Sequence, residues 1–405
     1  MPEADIIIIG GGIAGAATAY YLAPFQHGHR VTLLERGEIG GEASGVNAGG
    51  LGGIGWGNVP DLQAFLTMGS LEEFKTLQLD NGYDIEFRQS GTLQAIHTPD
   101  QYEYARDRML RLTSQGHTLE LLNPREAMAL EPGANPRLPG YVFSPLRGQA
   151  DPLKTTQAFA SAAADNGANI LTGQDVTAMI QTADGSWRIQ TSQPGPDGDF
   201  HAGILVLAAG AWCRPVGAML GINIPIAPVR GQMWATASMP PRVFHTIGSV
   251  ESAHDWTHPA ERDENSPPEL THRGETRLTR HLYGRQTKSG EIIFGGDRQL
   301  ADYGVTPDAT GIEVNRGHAA EVLPFLGDIP IQRTWAGTMP FSLDGKPVIG
   351  RIPLRDNLFI VSGLASSGFG RGPMAGKLLA EYIYTGYRPS VLNEADPARC
   401  VTESA

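Results

Sequence analysis

The chain has 405 residues, which is long enough for two domains and a sizeable core. Its formal net charge of −12 at pH 7 disfavours nucleic acid or an anionic membrane as the main partner. Only Cys213 and Cys400 are present, so a disulfide framework and a thiolate metal site are excluded. No apolar run approaches the ~18 residues of a membrane span, and residues 1–5 lack the basic start of a signal peptide. We therefore expect a cytoplasmic protein without a transmembrane segment.

The first residues follow the pattern of a dinucleotide-binding βαβ unit. Four isoleucines at 6–9 are typical of a strand buried on both faces. Gly10, Gly12 and Gly15 come directly after them and allow a tight turn, close approach to a pyrophosphate and close helix packing. A helix is predicted to follow over 13–23.

The next strand ends on an acid at the spacing that this motif requires. A buried strand is predicted over 31–34, and Glu35 follows it. An acid here accepts the ribose hydroxyls of an adenosine and would repel a 2′-phosphate, so the unit predicts FAD or NAD and not NADP. The glycine-rich stretch 40–57 is expected to lie tightly against a flat ligand, before a helix over 61–79.

From residue 85 the periodicity changes to that of a second, mainly antiparallel domain. A helix is predicted over 100–113. The strands predicted for this domain are 85–88, 91–97, 224–237, 281–285 and 291–294.

The segment 245–281 is polar and proline-rich and is predicted to be a solvated insertion or lid. His254 and His258 are four residues apart, so a metal site must be weighed. No patterned Asp or Cys completes such a site, and we therefore predict no metal.

Other elements return to the nucleotide-binding domain. They are a helix over 153–166, strands over 168–171 and 204–207, a hairpin of 176–180 with 187–191, and a buried strand over 358–361. A glycine-rich loop, 363–370, and a helix over 373–385 come last. The N-terminus of this last helix would stabilise an anion, and if the cofactor is FAD that anion is the reduced isoalloxazine ring. The alternative is that the loop and helix form a plain βα turn without a ligand.

Further short motifs lie in an order that spans nearly the whole chain. They are Glu35-Arg36, Ala43-Ser44, Ala48-Gly49-Gly50, Asp151-Pro152-Leu153, Ala208-Ala209-Gly210-Ala211-Trp212, Val229-Arg230-Gly231-Gln232, Thr334-Trp335-Ala336-Gly337, Asp344-Gly345-Lys346-Pro347-Val348-Ile349-Gly350 and the loop 363–376. In these motifs the chain resembles the D-amino-acid-oxidase-like flavoproteins, the group of glycine oxidase, sarcosine oxidase and the flavin subunit of hydrogen cyanide synthase.

The resemblance implies an α/β fold with two domains. The first is a Rossmann-like FAD-binding domain, discontinuous in sequence, and the second is a mainly antiparallel-sheet α+β substrate domain. The predicted FAD-binding parts are 1–82, 149–222 and 335–405, and the predicted substrate-domain parts are 83–148 and 223–334.

The motifs and the positions matched to the family together form the candidate FAD-binding set. Its members are Gly10, Gly12, Ile13, Ala14, Gly15, Glu35, Arg36, Ala43, Ser44, Asn47, Ala48, Gly49, Gly50, Val176, Ala209, Gly210, Trp212, Gly363, Leu364, Ala365, Ser366, Ser367, Gly368, Phe369 and Gly370.

The resemblance also implies site residues and three departures from the family. Tyr283 matches a tyrosine that helps to hold the substrate carboxylate, but Met339 stands where the carboxylate-binding arginine is expected. Thr338 and Asn47 occupy the positions where relatives attach flavin through cysteine or histidine, so FAD is expected to be non-covalent. Ile293 matches the lysine that promotes reaction with oxygen, which leaves oxidase and dehydrogenase both open.

The reaction implied by the resemblance is FAD-dependent oxidation of an amine or amino acid. Hydride passes from the amine-bearing carbon to flavin N5, and the imine is then hydrolysed. Because methionine cannot replace an arginine fork, either Arg230 or Arg371 reaches in, or the substrate is a bulkier amine without a carboxylate. The sequence slightly favours the second option, since a site lined by methionine is less polar.

Other functions remain open at this stage. An NAD-linked dehydrogenase would leave the C-terminal glycine loop unexplained, and a flavin hydroxylase would need a late Gly-Asp motif against the flavin. A non-enzymatic role, or a flavin subunit that passes electrons to a partner within a complex, is the remaining alternative. The expected partners are a small amine or amino acid, oxygen or another electron acceptor, and a second copy or a partner subunit.

Overall fold

The computed structural model describes residues 3–25, 30–52, 61–257, 265–353 and 355–404. Its strands are β1 (Glu3–Ile9), β2 (Val31–Leu34), β3 (Gly50–Leu51), β4 (Thr92–Ile96), β5 (Glu120–Leu122), β6 (Gly140–Ser144), β7 (Gly148–Gln149), β8 (Asn169–Leu171), β9 (Val176–Gln181), β10 (Trp187–Thr191), β11 (Asp199–Leu207), β12 (Ile222–Asn223), β13 (Ile226–Ala235), β14 (Thr246–Ser249), β15 (His272–Arg273), β16 (Thr276–Arg277), β17 (Tyr283–Gln286), β18 (Ile292–Gly295), β19 (Gln299–Leu300), β20 (Arg333–Ser342), β21 (Val348–Arg351), β22 (Leu358–Ser362) and β23 (Thr402–Glu403). Its α-helices are α1 (Ile13–Leu22), α2 (Ala43–Val46), α3 (Asp61–Lys75), α4 (Pro99–Ser114), α5 (Pro124–Leu130), α6 (Pro152–Asp165), α7 (Cys213–Ala218), α8 (Glu251–Asp255), α9 (Ala309–Val322) and α10 (Gly368–Thr385). None of these helices is both long and apolar enough to cross a bilayer, in the part of the chain that the structure describes.

The first sheet is the predicted nucleotide-binding sheet. It has eight strands in the order β21-β22-β11-β1-β2-β8, with the β9–β10 hairpin beside β11. Strands β22, β11, β1, β2 and β8 run parallel. Ile7 and Ile8 at its centre are 0% exposed, which explains the uninterrupted apolar run in the sequence.

Helices α1 and α10 pack closely on one face of this sheet because glycines line their contact. A Cβ at Gly376 would lie 2.7 Å from the backbone nitrogen of Thr18, and a Cβ at Gly372 would lie 2.7 Å from Ile13 Cγ2. Helix α10 starts at Gly368, earlier than the predicted start at about 373, so part of the predicted loop is helical. Helix α3 continues to Asp80 as a turn of π-helix, close to the predicted end at 79.

The second sheet is the predicted antiparallel sheet. Its nine strands lie in the order β19-β13-β18-β17-β14-β4-β6-β5, with β20 beside β13. All of its pairs are antiparallel except β14 with β4, which is parallel. Strand β20 pairs with β13 over ten residues, and this register places Met339 opposite Val229 and Thr338 opposite Arg230.

Three sequence predictions need correction or comment. Residues 85–88 are not a strand, because Glu86 has a φ of +56° and only Arg88 forms a bridge, to Gln149. The segment 245–281 is not wholly a solvated insertion, since β14 within it pairs with β4 and β17 in the second sheet. The predicted boundary between residues 334 and 335 falls inside β20, and the division into domains stays a prediction.

Candidate functional site

A cavity of about 320 Å³ lies where β1, β2, β11 and β22 of the first sheet end. It gathers residues from segments far apart in sequence. The predicted site residues that line it are Gly10, Gly12, Ile13, Ala14, Glu35, Arg36, Ala43, Ser44, Asn47, Val176, Ala209, Gly210, Trp212, Tyr283, Met339, Leu364, Ala365, Ser366, Gly368 and Phe369.

The turn between β1 and α1 needs its glycines. Gly10 has a φ of +114°, and a Cβ there would lie 2.5 Å from the carbonyl oxygen of Ala208. A Cβ at Gly15 would lie 2.0 Å from the carbonyl oxygen of Gly10, so Gly15 packs the helix on the strand without lining the cavity. Gly12 supplies no side-chain cap to α1, and Ile13 N–H donates to Ser44 Oγ at 3.0 Å, so the following amides of the first turn are the ones left for an anion such as a pyrophosphate.

Glu35 lines the cavity with both carboxylate oxygens already oriented. Oε2 accepts a hydrogen bond from Gly11 N–H and Oε1 accepts one from Gly37 N–H, each at 2.7 Å. Each oxygen keeps further acceptor capacity, as ribose hydroxyls require. Beside it the guanidinium of Arg36 lies 4.1 Å from the ring centre of Trp212 and covers the indole.

The opposite end of the cavity is built by β20 and the start of α10. Thr338 Oγ1 is buried and has no hydrogen-bond partner among the described residues, so a polar ligand edge could satisfy it. Ser367 provides no side-chain cap to α10, which leaves first-turn amides available to an anion. Asn47 instead bonds within its own loop, through Nδ2 to the Ala43 carbonyl and through Oδ1 from Gly49 N–H. The donors, acceptors and glycines of this cavity fit a dinucleotide such as FAD.

Five predicted residues lie outside the linings of both cavities, namely Gly15, Ala48, Gly49, Gly363 and Arg230. The Ala48 carbonyl accepts a hydrogen bond from the buried side chain of Arg285, which also donates to the Ala150 carbonyl at 3.2 Å. Arg230, one of the two candidates for the carboxylate clamp, lines neither cavity. Its guanidinium donates to the Thr306 carbonyl at 2.9 Å and to Gln299 Oε1 at 2.7 Å, and both contacts hold it away from the site.

A second cavity of about 220 Å³ adjoins the first. Tyr283 and Met339 line both cavities, and Gly50, Ser367, Gly370 and Arg371 of the predicted set line the second. Ten polar side chains of this cavity were not predicted as site residues from the sequence, namely Thr67, Thr92, Gln94, Arg147, Gln232, Thr246, Ser249, His281, Asp297 and Arg298.

Arg371 is the predicted clamp residue that the structure does place in the site. It lies in the first turn of α10 and is 7% exposed. Nε donates to Thr67 Oγ1 at 3.2 Å, and no carboxylate within the described ranges lies within 4.0 Å of the guanidinium. Burial lowers the pKa of Arg371 to about 10, with a smaller opposing effect of the Glu269 charge and a smaller lowering effect of Arg298, so the side chain stays cationic at neutral pH.

Arg298 is a second cation on this cavity and is held on three sides. Nη1 donates to Glu269 Oε2 at 3.1 Å, and the guanidinium covers Trp256 at 4.4 Å. Nη2 lies 3.2 Å from His281 Nε2, which must accept because a guanidinium only donates. His281 Nδ1–H therefore donates to Ser252 Oγ at 2.7 Å. Burial holds the pKa of His281 well below its ordinary value, which keeps this imidazole neutral.

Tyr283 and Met339 face the junction of the two cavities. The Tyr283 hydroxyl donates to Met233 Sδ at 3.5 Å, and burial raises the pKa of this phenol, so it stays protonated. Asp297 is already neutralised, since its carboxylate accepts from Arg277 and from Gln232 Nε2. The second cavity is therefore a cationic chamber beside a sulfur- and aromatic-lined junction.

The histidines form a separate cluster behind the chamber. One ligand atom from each of His97, Glu251 and His318 lies within 4.8 Å of the others, as a metal ion would require. Arg280, however, donates to both carboxylate oxygens of Glu251, at 2.7 and 2.8 Å, and takes the place of a cation. Of the pair weighed from sequence, His254 bonds Asp255, and His258 lies outside the described residues.

Residues 5–382 match the family model described as FAD dependent oxidoreductase. The chain belongs to this family. It is similar to glycine oxidase from Bacillus licheniformis, with 26% identity covering 94% of this chain and 92% of the relative. It is also similar to sarcosine oxidase subunit beta from Arthrobacter sp., with 27% identity covering 94% and 86%. The crystal structure of glycine oxidase from Geobacillus kaustophilus has the same fold, with a TM-score of 0.83, 23% identity and coverage of 98% and 99%.

These findings confirm the family, the fold class and FAD as the cofactor of this oxidoreductase. Gly10, Gly12, Glu35 and the start of α10 are the groups that would hold FAD in the first cavity. The NAD-linked alternative is thereby removed.

Proposed function

We propose that this oxidoreductase oxidises an amino acid whose carboxylate is held in the second cavity by Arg371, with Arg298 beside it. The predicted class, FAD-dependent oxidation of an amine or amino acid, is confirmed by the family match together with glycine oxidase and sarcosine oxidase subunit beta. When bound, FAD supplies the two-electron acceptor for this oxidation.

A single observation carries the proposal. The buried guanidinium of Arg371 opens on the chamber without a carboxylate partner in the described part of the chain. A buried, unpaired cation is costly in free energy, and an anionic ligand offsets that cost. A substrate carboxylate matches the planar fork of donors that arginine presents.

The chain contributes orientation and electrostatics to the reaction. Arg371 and Arg298 fix the carboxylate, and the amine-bearing carbon then lies towards Tyr283 and Met339 at the junction with the first cavity. Desolvation and the two guanidinium charges lower the pKa of a bound ammonium group, which favours the neutral amine. No imidazole has to act as a base here, because His281 is occupied by Arg298 and Ser252.

This proposal replaces the preference for an amine without a carboxylate. That preference rested on Met339 alone, which does leave the junction apolar. Arginines reach the chamber from α10 and from the residues after β18 and after β6. They keep the site as a whole polar although Met339 replaces an arginine.

Anaerobic bleaching of the flavin by matched compounds tests the proposal. Glycine, sarcosine and both enantiomers of alanine are compared with methylamine, dimethylamine and ethylamine, which lack the carboxylate. We expect the best amino acid to exceed its matched amine in kcat/KM by about 100-fold, the effect of an arginine–carboxylate pair. An amine as efficient as its amino acid would overturn the assignment.

A second candidate function concerns the electron acceptor. The similarity to a protein named as a subunit, sarcosine oxidase subunit beta, gives partial support to a flavin subunit that passes electrons to a partner. Ile293 is buried in a cluster with Met233 and places no cation there. Reoxidation of the reduced protein by oxygen and by an artificial acceptor separates an oxidase from a dehydrogenase. A partner subunit and the cytoplasmic location stay predictions.

A further inference from the structure

A third arginine, Arg147, lines the second cavity away from the Arg371–Arg298 pair. It lies between β6 and β7, and Nη1 donates to the side chain of Gln94 at 3.3 Å. No carboxylate lies within salt-bridge distance of it in the described ranges. Burial lowers the pKa of Arg147 to about 10, and its side chain contacts Gln94 on β4. Arg298 instead contacts Glu269 and His281, and its charge contributes to lowering the pKa of Arg371. The chamber therefore has one cationic group, Arg147, whose contacts differ from those of the Arg371–Arg298 pair.

A buried hydroxyl with no hydrogen-bond partner in the described part of the chain lies on β14, which two backbone hydrogen bonds connect to Arg147 through Gly91. Gly91 N–H donates to the Arg147 carbonyl at 2.8 Å, and Thr246 N–H donates to the Gly91 carbonyl at 3.2 Å. Thr246 is 5% exposed and lines the same cavity, yet its Oγ1 bonds to none of the described residues. A guanidinium and an unsatisfied hydroxyl thus line the chamber from neighbouring backbone segments, which is the pair of groups that an anion-binding subsite requires.

We infer that the substrate carries a second carboxylate, which is bound by Arg147 and Thr246 while Arg371 and Arg298 hold the first. The inference rests on the proposed function and narrows its substrate class. An amino dicarboxylate satisfies both positions, whether the second acid is on the side chain or on a nitrogen substituent. A monocarboxylate leaves the Arg147 position without an anion.

Matched substrates with and without a second carboxylate test the inference. Aspartate is compared with asparagine and glutamate with glutamine, each as both enantiomers, and N-carboxymethyl glycine is compared with sarcosine. The measured quantity is kcat/KM for anaerobic flavin reduction. At least one acid should exceed its neutral partner by about tenfold or more, which corresponds to one charge-assisted contact.

Variants assign that preference to the subsite. Arg147→Gln and Thr246→Val should each lower the ratio of acid to neutral partner, and Arg147→Lys should keep part of it. Arg230→Gln is the matched control, because it removes a guanidinium that lies outside both cavities. A preference that survives Arg147→Gln would overturn the inference.

Binding without turnover gives an independent readout. Succinate and glutarate lack an amine, and their effect on the flavin absorbance spectrum is titrated against butyrate and valerate. We expect the dicarboxylates to bind about tenfold more tightly. If dicarboxylates and monocarboxylates bind equally, or if acids and their amides are turned over equally, the inference of a second carboxylate is wrong. The proposed function would not be affected by that result. Reduction by amines but not by amino acids would overturn the proposed function itself.

Discussion

Replacing Arg371 with glutamine should damage the reaction and stabilise the protein. The variant keeps a polar side chain of similar reach near Thr67 but loses the charge that faces the chamber. A substrate carboxylate would then be buried with Arg298 as its remaining cation. Breaking a buried pair costs about 3–5 kcal/mol, and with Arg298 still present we expect kcat/KM to fall about 100-fold.

The stability effect follows from the pKa of Arg371. Because burial lowers that pKa to about 10, the protonated guanidinium opposes folding at all pH values below it, and this opposition is lost as the pH rises through 10. A pKa lowered this far corresponds to about 3 kcal/mol, and the 7% exposure of the side chain leaves little solvent screening. Since glutamine is itself polar, we expect a net gain of about 1–3 kcal/mol in the free energy of unfolding.

Both quantities are measured on the same preparations at pH 7.5. Urea unfolding of the apoprotein gives the stability, and anaerobic flavin reduction with the best amino acid gives kcat/KM. Arg371→Lys is the control, because it keeps the charge and loses only the planar fork. A glutamine variant that is less stable and equally active would refute the placement of an unpaired Arg371 in the substrate chamber.

Four further outcomes follow from the site. Glu35→Ala should weaken FAD binding by about tenfold or more in a titration of apoprotein, because ribose hydroxyls lose a charged acceptor; unchanged affinity would remove Glu35 from the ribose. Acid precipitation should release all of the flavin, since neither matched attachment position carries cysteine or histidine, and colour in the pellet would show a covalent bond. Gly368→Val should slow flavin reduction about tenfold or more with the fold intact, because the added side chain lies on the wall of the first cavity. Gly368→Ala should have a smaller effect. A Gly368→Val variant that reduces flavin at the wild-type rate would contradict this role of the α10 terminus. The free energy of unfolding should fall as the pH drops from about 6.5 to 5, because His281 and His318 bind protons in the unfolded chain but not when buried in the folded one. A free energy from urea unfolding that does not change over this pH range would contradict the prediction.

The candidate cofactor site follows local patterns closely. The run 6–9, the three glycines and Glu35 lie within one βαβ unit, so their spacing along the chain fixes their spacing in space. The start of α10 could also be placed near this unit, because Gly372 and Gly376 let it pack directly on α1.

The substrate chamber does not follow from local patterns. Arg147 and Arg298 come from segments about 150 residues apart, and each looks like an ordinary surface arginine in the sequence. Arg230 shows the converse, since its place beside a predicted flavin-side element made it a candidate, whereas its side chain contacts Thr306 and Gln299 outside both cavities.

The sequence by itself determined the nucleotide-binding unit and the return of the chain to that domain. Both depend on residues whose neighbours along the chain set their geometry. Met339 in place of an arginine was visible only through the resemblance to a known family. Only the tertiary structure decided which cations fill the chamber, because that depends on how β17, β18 and the β6–β7 connection of one sheet meet α10 of the other domain. Side-chain charge is visible in a sequence, but the burial that makes a charge functional is a property of packing.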